Sequence, residues 1–293
     1  MDQLVKNQAR AVAELMFKPD GVARPSRQIV FERIKDELGF ELGDYHSWKK
    51  EEFSILNGDI DIPVTFHPIE NPKGVAILAH GFGQNRFVLI PYAKIFRDLG
   101  YSTLLFDQRH FGESTAKHGT FSVKESTDLV AIIDWLKENY DHSSRIITLG
   151  VSMGAMTVMH ALKHTDKINL AIEDSGPSDI SEILPLFYKA VTQDENPYFI
   201  EEFKAISEKY GAPLHENKPI LGVANSEVPL LVIHSDIDSI IPLAQGEKII
   251  KAAKHPLSKM EIFEGFEHAL SIVDYEKYNR LVTDFLASVF GED

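Results

Sequence analysis

The sequence predicts an α/β protein with a mostly parallel central sheet flanked by helices. Two observations carry this. From residue 75 onward, short and nearly continuous apolar runs alternate with helical stretches, the pattern of strands buried on both faces of a sheet. The chain has 293 residues, 44% of them hydrophobic and 25% charged. One α/β domain with insertions reaches that length, and the composition supplies a core.

The elements follow in order. Leu4, Val5, Val12, Leu15 and Met16 recur near helical spacing, and Pro19-Asp20-Gly21 is a stop. A second helical stretch runs from about Ser26 to Leu38 and ends at Gly39. Residues 1–50 are therefore expected to form an N-terminal helical extension packed on a main domain at 51–293. Asn57-Gly58-Asp59 sits between Phe53–Leu56 and Ile60–Phe66, a hairpin signal. Strands are expected at Val75–Ala79, Ser102–Phe106, Arg145–Leu149, Asn169–Ile172, Pro229–Ile233 and Lys259–Phe263. Helices are expected at Leu89–Leu99, Val123–Tyr140, Met153–His164, Leu243–Ala253 and Asp274–Phe290. The rhythm breaks at about 178–227, where helical pieces rich in Pro, Phe and Tyr replace strands. Such an insert between two sheet strands commonly forms a lid.

Composition removes several function classes. The net charge of −14 argues against nucleic acid as the main partner, because phosphate binding needs a basic surface. The chain has no cysteine. Disulfides, thiolate metal sites and cysteine nucleophiles are thereby out, and a cytoplasmic location fits. No apolar run reaches the roughly 18–20 residues of a membrane span, and the opening residues lack the pattern of a signal peptide.

Gly150-Val151-Ser152-Met153-Gly154 is a G-x-S-x-G pentapeptide that follows an apolar strand and opens a helix, the context of a nucleophile elbow. A serine hydroxyl is a poor nucleophile until a base takes its proton, and the base needs an orienting acid. The elbow sets the chain order Ser, acid, His. His234-Ser-Asp-Ile-Asp238 follows one later strand and Phe263-Glu-Gly-Phe-Glu-His268 follows the last. Asp238 and His268 thus fall in strand-end loops on the edge of the sheet that carries Ser152.

At these residues the chain resembles the α/β-hydrolase family. It looks most like the bacterial esterase and serine-aminopeptidase-like branch, with its monoacylglycerol-lipase-like and Bem46-like members. The resemblance spans about residues 55–290. Four segments carry it: His80-Gly-Phe-Gly83, Asp107 to Ser114, the Ser152 elbow, and the loops of Asp238 and His268. It implies an α/β-hydrolase fold with Ser152 as nucleophile and His268 as general base and then acid. It also implies Asp238 as the orienting acid, at the fifth position of a motif that normally begins His-Gly; here Ser235 stands second. Asp236, Glu173 and Asp174 remain open as alternatives. The elbow assigns one oxyanion-hole N–H to Met153, and the match to the His-Gly-x-Gly segment assigns the other to Phe82. Members that act as dehalogenases or epoxide hydrolases carry Asp at the elbow, so Ser152 disfavours those activities.

Other features have structural readings. Arg109, in the Asp107–Ser114 loop, is expected to tie neighbouring loops by charge-assisted hydrogen bonds; His110 or Phe111 as substrate contacts is the lesser alternative. In the insert, most of Leu184, Leu186, Phe187, Tyr188, Tyr198, Phe199, Phe203 and Tyr210 are expected to pack the lid, with a few lining an apolar acyl pocket. Glu195, Glu201 and Glu202 read as a solvated helix face rather than as anchors for a substrate amine. Asp236-x-Asp238 lacks the glycine and closing Glu of a calcium loop, and there is no H-E-x-x-H, dinucleotide or Walker A pattern. No cofactor or metal is expected, because acyl transfer to water runs on side chains.

The expected function is a serine hydrolase acting on carboxylic esters of short to medium acyl chains, with a small-molecule acyl ester as its partner. A thioesterase, amidase, peptidase or acyltransferase would use the same residues. The reading from another class is a non-catalytic binding protein on a hydrolase scaffold.

Overall fold

The computed structural model describes residues 2–19 and 25–291. The Asp20-Gly21 half of the expected helix stop lies outside them. Among the described residues, eight strands form one sheet: β1 (Glu51–Asn57), β2 (Ile60–His67), β3 (Val75–Ala79), β4 (Ser102–Phe106), β5 (Ile146–Val151), β6 (Leu170–Asp174), β7 (Leu230–Ser235) and β8 (Lys259–Phe263). Their order is β1-β2-β4-β3-β5-β6-β7-β8. β1 pairs antiparallel with β2 and β2 with β4, and every other pairing is parallel. Asn57 pairs with Ile60 across the β1–β2 hairpin. Gly58 takes the positive φ of 64° that the first central residue of so tight a turn requires.

The apolar runs are inner strands because both their faces are covered. Side chains alternate between two packing clusters with the two-residue period of a strand. Ala76, Leu78, Ile147, Leu149, Leu231 and Ile233 face one cluster. Val75, Ile77, Ile146, Leu230 and Val232 face the other. The first is covered by α2 (Arg27–Asp36), α3 (Ile90–Asp98) and α10 (Tyr275–Phe290). The second is covered by α4 (Glu125–Asn139), α5 (Met153–Ala161) and α9 (Ala244–Ala252). Expected and observed boundaries differ mainly at helix ends. Residues 162–164 leave α5 in turns, and Arg86–Leu89 adds a 3-10 turn before α3.

A third cluster lies over the carboxyl ends of the strands. The insert supplies α6 (Ile180–Thr192), α7 (Phe199–Lys209) and the short α8 (Ile220–Ala224). The first helix, α1 (Asp2–Phe17), packs on this insert through Ala9, Ala13, Met16 and Phe17, all buried. Phe17 stands 5.1 Å from Phe203 and 5.5 Å from Phe121 and Tyr210, between ring centroids. Of the apolar positions that recur along this helix in the sequence, Met16 is buried and Val12 packs against the cluster. Leu4 and Leu15 are exposed, because the small Ala9 and Ala13 let α1 approach α7 closely and that approach decides which face is covered. Glu14 accepts hydrogen bonds from Lys209 Nζ at 2.6 Å and the Tyr210 hydroxyl at 2.7 Å.

Candidate active site

Ser152 sits between β5 and α5 with φ 55° and ψ −114°, a backbone conformation that non-glycine residues rarely adopt. The flanking glycines explain how the chain reaches it. A Cβ on Gly150 would fall on the carbonyl oxygen of Gly154, and one on Gly154 would fall on that of Ala79 at the end of β3. The Ser152 N–H donates to the Asp174 carbonyl at 2.8 Å.

The structure brings Ser152, His268 and Asp238 together. Ser152 Oγ lies 2.8 Å from His268 Nε2, and His268 Nδ1 lies 2.7 Å from Asp238 Oδ2. A carboxylate oxygen accepts, so Nδ1 carries the proton and Nε2 is left to accept from the serine hydroxyl. Asp238 is held in turn: its Oδ1 accepts from the N–H groups of Ile240 at 2.9 Å and Ile241 at 2.7 Å. His234 Nε2 donates to the Ile241 carbonyl at 2.7 Å; burial lowers the His234 pKa, which keeps it a neutral strut.

The other candidate acids are engaged elsewhere. Asp236 Oδ1 accepts from the Gly265 N–H at 2.7 Å. Glu173 Oε2 accepts from the Gly176 N–H, and Asp174 Oδ1 from the Ser175 hydroxyl, both at 2.9 Å. Burial raises the pKa of Asp174 to about 6 and that of Glu173 well above the carboxylate range.

Phe82 and Met153 flank Ser152 on the wall of a cavity of about 390 Å³. Phe121, Met156, Ile180, Ile183 and Phe187 close one side. Ile34 and Leu38, from the α2 region, together with Val88, Leu89 and Tyr92, close the other. The α2 segment, expected as part of a helical extension packed on the main domain, thus contributes directly to the cavity. Glu195, Glu201 and Glu202 are absent from its lining. Glu195 pairs with Lys189 at 2.8 Å, while Glu201 and Glu202 face Lys6 at 3.6 and 3.5 Å.

The prolyl oligopeptidase family model matches residues 93–293. The chain belongs to the prolyl oligopeptidase family. Among relatives of this family member, the YqkD protein of Bacillus subtilis is 29% identical over 226 residues, 75% of this chain and 72% of that one. The YfhR protein of Salmonella typhi is 27% identical over 208 residues, covering 70% and 68%. An esterase of Pyrococcus furiosus, Pf2001, superposes with a TM-score of 0.70 at 23% identity, covering 84% of this chain and 93% of that one. The fold is that of the α/β hydrolases, and the protein is a hydrolase of that type.

In this family member the loop behind the cavity holds residues that sequence reasoning missed. His80 Nε2 accepts from the Gln108 N–H at 3.1 Å, so its Nδ1 donates to the Gly81 carbonyl at 2.7 Å. Burial lowers the His80 pKa, in keeping with this neutral tautomer. Gln108 Nε2 donates to the His80 carbonyl, and Gln108 Oε1 accepts from Thr157 Oγ1 at 2.5 Å. Gln108 therefore joins the loop of Phe82 to the helix that begins at Met153. Its only signal in the sequence is its place just after β4.

The reading of Arg109 needs correction. It clamps a helix rather than neighbouring loops: Nε and Nη2 donate to Asp128 on α4 at 2.7 and 2.8 Å. Burial opposes the Arg109 charge, but the hydrogen bonds it donates to Asp128 outweigh this and raise the pKa. The loop-tying cation is Arg86. Its backbone N–H donates to Asp107 Oδ1 at 2.8 Å, its Nη1 pairs with Asp107 Oδ2, its Nε donates to Thr65 at 2.9 Å and its Nη2 to Glu113 at 2.5 Å. Gly112 belongs to the same knot, because a Cβ there would collide with the Asp107 carboxylate. His110 and Phe111 are buried and do not line the cavity. Phe111 packs on Met153 and Phe82 instead.

Proposed function

We propose that the protein is a serine carboxylesterase that works through an acyl-enzyme. The single observation that carries this reading is the unbroken hydrogen-bonded chain Ser152 Oγ–His268 Nε2, His268 Nδ1–Asp238 Oδ2. Ser152 attacks the acyl carbonyl as His268 takes its proton. The negative oxygen of the tetrahedral intermediate is stabilised by the Phe82 and Met153 N–H groups. His268, steadied by Asp238, passes the proton to the departing alcohol, and water releases the acyl group by the same route. No group beyond these side chains and amides is required.

A cavity of about 390 Å³ with mostly apolar walls supports short to medium acyl chains. The Pyrococcus furiosus esterase shares the fold, which is compatible with ester chemistry but carries no argument by itself. The family name favours a second reading, peptide or amide cleavage on the same residues. Glu195, Glu201 and Glu202 lie off the cavity wall, so none of these three anchors a substrate amine there. A cytoplasmic location is part of the same proposal and rests on the lack of cysteine.

The test is covalent labelling by a fluorophosphonate, with Ser152→Ala as control. Labelling of the native chain alone is expected, followed by turnover of nitrophenyl esters from acetate to palmitate that peaks at short or medium chains. No labelling of folded protein would point to a binding protein. A long-chain maximum would overturn the acyl-length reading, and faster cleavage of matched anilides than of esters would favour the amidase.

A further inference from the structure

The insert is tied to the nucleophile helix by a neck. Residues 178–180 at its start pair with residues 217–220. The Ile220 N–H donates to the Ser178 carbonyl at 3.1 Å, and the Ile180 N–H donates to the Asn217 carbonyl at 3.3 Å. Lys218 pairs with Asp179 at 2.9 Å. This neck rests on α5: a Cβ on Gly222 would fall on the Met159 carbonyl oxygen, so α8 touches the α5 backbone directly.

Asn217, almost fully buried, joins the neck to two further segments. Its Nδ2 donates to the Phe121 carbonyl at 2.8 Å, and its Oδ1 lies 3.0 Å from His160 Nε2 on α5. A carbonyl only accepts, which fixes the orientation of the amide and puts the proton on His160 Nε2. Burial lowers the His160 pKa to about 4, so the donor is a neutral ring.

Phe121 and Ser122 have φ of 48° and 76°. Two successive non-glycine residues in the left-handed region are unfavourable, and such backbone persists only where its surroundings over-determine it. The bond from Asn217 is one such constraint. The same two residues reach both proposed oxyanion donors. Ser122 Oγ donates to the Met153 carbonyl at 2.6 Å. The Phe121 ring stacks on the Phe82 ring, with 5.5 Å between centroids and 22° between planes.

We infer that Asn217 and Ser122 are positioning residues for the oxyanion hole: Asn217 holds the Phe121–Ser122 turn in its left-handed form, and the turn fixes Met153 and Phe82 relative to each other. This rests on the esterase reading and makes the insert part of the frame that stabilises the transition state. Neither side chain lines the cavity, so the effect falls on the transition state and leaves substrate affinity alone.

The experiment measures kcat and KM for nitrophenyl butyrate, per site titrated with fluorophosphonate, and urea unfolding midpoints. The variants are Ser122→Ala, Asn217→Asp and the two combined. Ser122→Ala removes the hydroxyl on Met153. Asn217→Asp keeps an acceptor for His160 and removes the donor to Phe121. Asn217→Ser, which loses the same contact, takes its place where the carboxylate prevents folding. Each single variant is expected to lower kcat about tenfold with KM within about twofold, because small misplacements of an oxyanion donor are costly. The combined variant is expected to match the slower single variant within about threefold, since two steps of one path do not add. A lowered midpoint with kcat unchanged, or a rise in KM in place of the fall in kcat, would overturn the positioning role and leave the esterase reading standing. Losses that multiply in the combined variant would overturn the path from Asn217 through Ser122. A folded native chain that neither labels nor turns over ester would overturn the esterase reading and this inference with it.

Discussion

Thr157 Oγ1 donates to Gln108 Oε1 at 2.5 Å, so a side chain of α5 braces the residue that holds the His80 loop. Both backbone N–H groups proposed to receive the oxyanion depend on this brace. Phe82 follows His80 within the braced loop, and Met153 opens the helix that carries Thr157. Gln108→Leu is expected to lower kcat for a good ester substrate by about tenfold or more with little change in KM, because small misplacements of a catalytic donor are costly. Steady-state kinetics check it; a loss confined to KM would refute the bracing role.

Arg86 is expected to be a major stabiliser of the strand-end loops. Its side chain and that of Asp107 are almost fully buried. Removing one partner of a buried pair leaves an uncompensated charge, which typically costs about 3–5 kcal/mol. Arg86→Met is therefore expected to lower stability by that order in urea unfolding. Arg86→Lys is expected to rescue little, because a single ammonium does not reach Thr65, Asp107 and Glu113 together. An unchanged midpoint for Arg86→Met would refute this.

Asp174 gives stability a predictable pH dependence. Its pKa is raised from 3.8 to about 6, first by burial. The folded state therefore holds a proton that the unfolded chain releases at the ordinary carboxylate value. Stability falls as pH rises through the window from about 4 to about 6, and the penalty is complete above it. Asp174→Asn removes this penalty. Chemical unfolding near pH 4 and near pH 7 should show the variant gaining on the native chain by on the order of 2–3 kcal/mol across the window. Parallel curves would refute it.

The same variant separates the candidate acids. Asp238→Asn is expected to lower kcat by about ten-thousandfold, as loss of the tautomer-setting acid does. Asp174→Asn is expected to retain turnover within about tenfold, since its carboxylate is occupied by the Ser175 hydroxyl. The reverse ranking in a single kinetic comparison would reassign the acid.

The close approach of α1 to the insert predicts that size at Ala13 is critical. Ala13 is fully buried in the cluster that includes Phe203 and Tyr210. Ala13→Leu is expected to cost about 1–3 kcal/mol by overpacking. Hydrogen exchange should then show faster exchange in α7 than in the inner strands; uniform protection would refute the dependence of the insert on α1.

Much of the architecture was legible in the residues. Val75–Ala79 and Leu230–Ile233 lie within inner strands, because a run apolar on both faces can be buried on both. Gly150 and Gly154 announced the turn at Ser152, because close backbone crossing is a local steric demand. On α1, Met16 and Val12 pack as their spacing suggests, but Leu4 and Leu15, which match the helical period as well as Ala9 and Ala13 do, stay exposed. Which stripe is buried depends on the partner helix.

The sequence by itself determined the α/β order, the elbow at Ser152 and the chain order of its candidate partners. Those follow from periodicity, backbone sterics and the succession of strands, all properties of neighbouring residues. Tertiary structure decided between Asp238, the acid the sequence favoured, and its alternatives Asp236, Glu173 and Asp174 as the partner that meets His268, and it alone decided that Arg86 rather than Arg109 binds Asp107 and that α2 walls the cavity. Each of these is a distance between segments far apart in the chain. Register and helix packing set such distances within an ångström, and hydrogen bonds discriminate on that scale.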